Sequence, residues 1–98
     1  MFFRKRTPFG QVAREVLAIK SLVYAPGTRA LAKIHIDRLI SYFGDLRPNQ
    51  VNDLLWAEYI AMEREKKPRK FFDDRKFMRV ILHYAREQDL IQKVPKLP

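Results

Sequence analysis

Arg75, Lys76, Arg79, His83 and Arg86 recur at helical spacing late in this sequence, with Phe72 leading them. On a helical wheel at about 100° per residue they fill one arc of about 100°, and Glu87 is the only acid at its edge. Solvated helix faces usually mix signs, because like charges four residues apart repel by a few tenths of a kcal/mol. Arg75 and Arg79 form such a pair. One-signed charge at this spacing suits a major groove, where Arg can bond bidentately to a guanine edge and Lys can neutralise phosphates. An ordinary solvated surface is the competing reading of the same arc.

Smaller signals accompany it. Thr28, Arg29 and Lys33 stand at the start of another periodic segment, and no acid occurs between Val16 and Ile36. Free backbone N–H groups at a helix start favour a phosphate, although the helix dipole gives a cation nothing there. Arg69 and Lys70 precede the basic arc, and Arg4, Lys5 and Arg6 form a basic N-terminal arm over residues 1–9. Other residue types point to no active site. His35 lies in an apolar arc and reads as a core histidine; His83 has no metal-ligand partner at a useful spacing. Asp73 and Asp74 sit at a helix start, where the dipole favours anions. Trp56 and Ile60 form a secondary apolar stripe, and Arg38 and Arg64 belong to neither basic surface. Gly-rich phosphate loops, a nucleophile elbow and metal-ligand spacings are missing from the sequence, so no cofactor, metal or small-molecule substrate is expected.

Composition agrees with a polyanion partner. The 98 residues carry 20 Lys and Arg against 11 Asp and Glu, a net charge of +9. That length suits one domain, and 47% hydrophobic residues support a real core. Without Cys there is no disulfide framework and no thiolate chemistry. No apolar run approaches the roughly 18 residues of a membrane span, and the basic start lacks a signal peptide's apolar segment. A cytoplasmic location with no membrane partner is the expectation.

The elements that must position these residues read as helices. Gly10, Gly27 and Gly44 fall between periodic segments, which suits helices joined by short turns. A first helix is expected over about Gly10 to Tyr24, with Val12, Val16, Ile19 and Val23 on one seam. Thr28 caps a second, which buries Leu31, Ala32, Ile36, Leu39, Ile40 and Phe43 and ends at a left-handed Gly44. A third runs from about Leu55 to Glu65 with Leu55, Tyr59 and Met62 inward; Pro48 is the alternative start. The fourth, from about Phe71 to Gln88, buries Phe71, Met78, Ile81, Leu82 and Ala85 and ends at Asp89. Lys93 to Pro98 reads as an extended exit strand, since its prolines forbid helix.

In this order, Phe9-Gly10-Gln11-Val12-Ala13, Thr28-Arg29, Leu39-Ile40-Ser41-Tyr42-Phe43-Gly44 and Asp53-Leu54 before Tyr59-Ile60 form a familiar series. It continues with Val80-Ile81-Leu82-His83-Tyr84-Ala85, Asp89-Leu90-Ile91 and Val94-Pro95-Lys96-Leu97-Pro98. Over about Thr7 to Pro98 the chain resembles the N-terminal core-binding domain of phage integrases, the tyrosine site-specific recombinases. Two positions depart from that pattern: Leu55 stands where many relatives cap the third helix with Thr or Ser, and Asp89 where many have Gly. The resemblance implies an all-α, four-helix SAM-like bundle, with the core-binding domain at 10–92 and a linker beginning at 93–98. It implies that the domain clamps double-stranded DNA at a recombination site, with possible self-association on DNA. A separate C-terminal domain would supply the tyrosine nucleophile, so Tyr24, Tyr42, Tyr59 and Tyr84 are not it. The expected contacts are Thr28, Arg29, Lys33, Arg69, Lys70, Arg75, Lys76 and Arg79. A different class, a helical protein-interaction module anchored by Trp56, Ile60 and Phe72, or a stand-alone regulatory DNA binder, is the alternative.

Overall fold

The computed structural model describes residues 6–98, and among these it holds four α-helices, one 3-10 turn and no strand. The helices are α1 (Phe9–Ser21), α2 (Pro26–Phe43), α3 (Asp53–Lys66) and α4 (Phe72–Glu87), with the 3-10 turn at Pro48–Gln50. The chain is an all-α four-helix bundle in which α1, α2 and α4 pack on one another. No helix among the described residues is long and apolar enough to cross a membrane.

Local chemistry places the boundaries, and several differ from expectation. Pro26 takes the first helical position of α2, where its fixed φ is already helical and its missing N–H is no loss. Ala25 is therefore the N-cap, and Thr28 lies inside the first turn rather than capping it. Asn52 caps α3 by accepting from the Leu55 N–H at 2.9 Å, which starts that helix two residues before Leu55. Pro48 starts only the 3-10 turn, closed by the Arg47 N–H donating to the Gln50 side chain at 2.8 Å.

Gly44 is right-handed (φ −56°), not left-handed as expected. Glycine is required there because a Cβ on Gly44 would clash with the Ile40 carbonyl oxygen, and the approach is close at Gly10 too: its N–H donates to the Gly44 carbonyl at 3.0 Å, and a Cβ on it would stand 3.3 Å from the Gly44 Cα. α1 starts and α2 ends backbone to backbone. Leu22 closes α1 sooner than the seam suggested, leaving Val23 beyond it 76% exposed, and Ile19 within the helix is 42% exposed.

An aromatic cluster sits inside a mainly aliphatic core. Phe9 meets Phe43 edge-on at 5.9 Å, Phe43 stacks on Trp56 at 6.3 Å, and Tyr59 lies 5.3 Å from Phe43. Such pairs contribute about 0.5–1.5 kcal/mol beyond their buried area. Trp56, expected on a secondary stripe, is fully buried, and its indole N–H donates to the Pro98 carbonyl oxygen at 3.3 Å. Ile81, Leu82 and Ala85 of α4 complete the core, as their spacing predicts. Of the expected N-terminal arm, Thr7 is buried and Phe9 opens α1, while Arg4 and Lys5 lie outside the described residues. At the other end the 93–98 segment forms no strand, and Leu97 is buried against the core.

α4 ends in a Schellman arrangement. The Leu90 N–H donates to the Ala85 carbonyl at 2.9 Å and the Asp89 N–H to that of Arg86 at 3.0 Å, with Asp89 at φ +61°. A side chain in that region is strained, and Asp tolerates it better than most. Asp89→Gly should therefore raise stability by about 0.5–1 kcal/mol in urea denaturation, the relief exceeding the entropy Gly adds to the unfolded chain. A loss of stability would mean that the Asp89 side chain contributes more than its backbone strain costs.

Candidate nucleic-acid interface

α4 presents two chemically different sides. Its inner arc carries Phe77, Met78, Ile81 and Leu82 into the core, all buried. Its outer arc leaves Phe72, Lys76, Arg79, His83 and Arg86 exposed and Arg75 half-buried. Among the described residues none of Arg75, Lys76, Arg79 and Arg86 has an ion pair. Arg75 instead leans on the Phe72 ring at 5.7 Å and Lys76 on the Phe77 ring at 5.6 Å. The basic stripe is thus positioned by helix periodicity and aromatic contacts, with its charge uncompensated.

On α2, Arg29 and Lys33 are exposed and Thr28 is half-buried. Arg29 donates to the Tyr24 carbonyl at 3.3 Å, and Lys33 pairs with Asp37 at 2.8 Å. Both contacts are exposed, and an exposed ion pair of this kind contributes only about 0.3–0.5 kcal/mol. A phosphate can displace either cheaply. Lys70 is exposed as well.

Arg69 is placed differently. Its guanidinium turns onto the protein, donating to Asp74 Oδ2 at 2.7 Å and lying 4.1 Å from the Phe71 ring centre and 3.5 Å from Glu63 Oε1. It belongs to a network built around a carboxylate that sequence reasoning treated as a helix-start charge. Asp74 is 0% exposed. His35 lies with Nδ1 2.5 Å from Asp74 Oδ1, and the Tyr59 hydroxyl donates to Oδ2 at 2.7 Å. An ionised carboxylate only accepts, so the His35 proton on this side is on Nδ1. Arg38 approaches Oδ1 at 3.5 Å and Glu63 at 3.8 Å, which joins it to the same network.

This network ties α2 through His35 and Arg38, α3 through Tyr59 and Glu63, the connector through Arg69, and α4 through Asp74. Burial alone would raise the Asp74 pKa. Hydrogen bonds from Arg69, Tyr59 and His35, with the charge of Arg69, outweigh that and hold it below the ordinary carboxylate range. Burial, then the hydrogen bond to Asp74 and its charge, push the Tyr59 hydroxyl well above its usual range. Every buried polar side-chain atom among the described residues has a partner, which marks the cluster as a structural lock. His35 is accordingly a half-buried, bonded histidine, as its apolar arc predicted, with a partner the arc did not reveal.

Of the three anchors expected for a protein-interaction module, Trp56 is in the core, Ile60 is half-buried and Phe72 is 65% exposed. Set against family models, curated proteins and solved structures, the chain matches none.

Proposed function

We propose that this bundle is the duplex-binding module of a tyrosine site-specific recombinase, clamping a recombination site that a separate C-terminal domain cuts and rejoins. The order of short motifs supports the recombinase reading, and the all-α bundle is compatible with it. The observation that carries DNA binding is the α4 stripe: exposed Lys76, Arg79 and Arg86 with half-buried Arg75, all without acidic partners among the described residues. Elsewhere the fold uses cations internally, as Arg38 and Arg69 show. Leaving a row of them unpaired on one helix face suits a polyanion. In this reading Lys76 and Arg79 face the duplex, Lys70 and Arg75 flank them, and Thr28, Arg29 and Lys33 approach from α2. Arg69 holds the fold instead.

Alanine variants test the stripe. A site is first selected from a duplex library. On that site Arg79→Ala should cost about 1–3 kcal/mol and flatten preference at one position, as removal of a base-edge contact does. Lys76→Ala should weaken all sequences alike and reduce the salt slope by about one. Arg14, exposed on α1 at the end of the bundle where Gly10 meets Gly44, is the charge-matched control. Equal losses for Arg79→Ala, Lys76→Ala and Arg14→Ala would mean that total charge governs binding, and the α4 stripe would lose its role.

A further inference from the structure

Where α3 passes the start of α4, a groove of about 390 Å³ opens beside the basic stripe. Its floor is apolar, made by Ile60, Phe71 and the exposed Phe72 ring, and its sides carry Arg64, Lys70 and Arg75. Pro98 closes one end, no Asp or Glu side chain lines it, and among the described residues none of these three cations has an ion pair. The Arg64 guanidinium stands 5.5 Å from the Phe71 ring centre and that of Arg75 5.7 Å from the Phe72 ring centre. Both charges are thus held at the rim of an aromatic surface.

We infer that this groove binds one unpaired nucleotide of a DNA strand, with the base stacked on Phe72 and its phosphate between Arg64, Lys70 and Arg75. Two features select this ligand. Three cations without an acid call for an anion, which an apolar side chain of a partner protein does not supply. A flat aromatic face left 65% exposed calls for a flat partner, which a carboxylate side chain does not supply. A nucleotide joins both in one unit, and aromatic platforms along cationic grooves bind single strands in this way. The base must be unpaired, because inside a duplex both of its faces are covered by neighbours. The inference rests on the duplex reading for its setting, since it places a displaced or terminal nucleotide next to the double helix held by α4.

The test measures anisotropy of three labelled probes: a short oligothymidine, a blunt duplex, and that duplex with a thymidine overhang. Phe72 is exposed, so its substitution should leave the fold intact. Phe72→Ala should weaken oligothymidine binding by about 5- to 150-fold and abolish the advantage of the overhang, while blunt-duplex binding, which touches Phe72 only through the Arg75 that leans on it, should change by less than about 3-fold. Phe72→Trp should keep the affinity, and its new fluorescence should be quenched by oligothymidine. Equal effects of Phe72→Ala on oligothymidine and blunt duplex would overturn the inference. So would displacement of oligothymidine by polyglutamate at equal charge, since charge alone would then explain the groove. Duplex binding without oligothymidine binding would overturn the groove assignment and leave the α4 reading standing. Failure of both probes at low salt would remove the two together.

Discussion

Asp74→Ala is expected to cost about 3–5 kcal/mol of folding stability, the range seen when one partner of a buried ion pair is removed. A domain of this size has about 5–15 kcal/mol in total, so the variant should be close to unfolding at room temperature. The size of the effect follows from what is left behind. The Tyr59 hydroxyl loses a 2.7 Å acceptor, the Arg69 guanidinium loses its 2.7 Å partner, and His35 loses the oxygen that orients its ring. Tyr59 is buried beside Phe71 and Tyr42, where water cannot replace the lost bond, while His35 against Phe77 and Arg69 beside Phe71 keep only 13% and 21% of their side-chain surface in water. Asp73, one residue earlier, is 41% exposed at its side chain and only grazes the network, 3.8 Å from His35 Nε2, and is the internal comparison. Asp73→Ala should change stability by about 0.5 kcal/mol or less. Urea denaturation of both variants gives the answer, and an Asp74→Ala loss below about 1 kcal/mol would mean that the cluster is not a lock.

The same carboxylate predicts an acid limb. Its folded pKa is lower than its unfolded one, so its contribution is fully present above the ordinary carboxylate range. As pH falls through that range towards the lower folded value, the contribution is lost. Asp74→Asn keeps the shape without the charge, so its deficit relative to the wild type should shrink over that interval. A deficit independent of pH would assign the effect to packing alone.

How much of this was legible in the sequence depends on the range of the interactions involved. α4 could be read almost residue for residue, because its apolar arc and basic arc are both local periodicities. On α3 the expected inward face holds at Tyr59 and in part at Leu55, but Met62 is 37% exposed and Trp56 takes the core position. Leu54, Leu55 and Trp56 are consecutive, so the pattern alone allows more than one inward face, and stacking of Trp56 on Phe43 decides the matter. The seam of α1 continued past the helix because Val23 has the right type and spacing, but the chain turns before it can be covered. Asp74 was misread because its partners His35, Arg38 and Tyr59 are remote in sequence. A signal was present nonetheless: Asp74 stands three residues after Phe71 and four before Met78, inside the buried arc. A charge at an apolar position asks for a partner across the core. Arg69 had no comparable signal, since it lies in a connector where periodicity has no meaning.

Binding to duplex DNA should fall steeply with salt, with a slope of log K against log salt of roughly −4 to −5. Each neutralised phosphate contributes about −0.9 to that slope, and the proposed contacts, Lys70, Arg75, Lys76 and Arg79 with the α2 cations, would together neutralise about four to six phosphates. Between about 50 and 200 mM salt this amounts to a loss of roughly 250- to 1000-fold. The net charge of +9 does not by itself require that value. Arg38 and Arg69 are committed to Asp74 and Glu63, and Lys66 stands 3.3 Å from Glu63. Only cations gathered on one side can touch one duplex together. A slope near −1 would therefore indicate diffuse attraction to a basic surface, and the α4 stripe would have to be given up as the binding face. A slope in the expected range that drops by about one in Lys76→Ala but not in Arg14→Ala would tie the released counterions to α4.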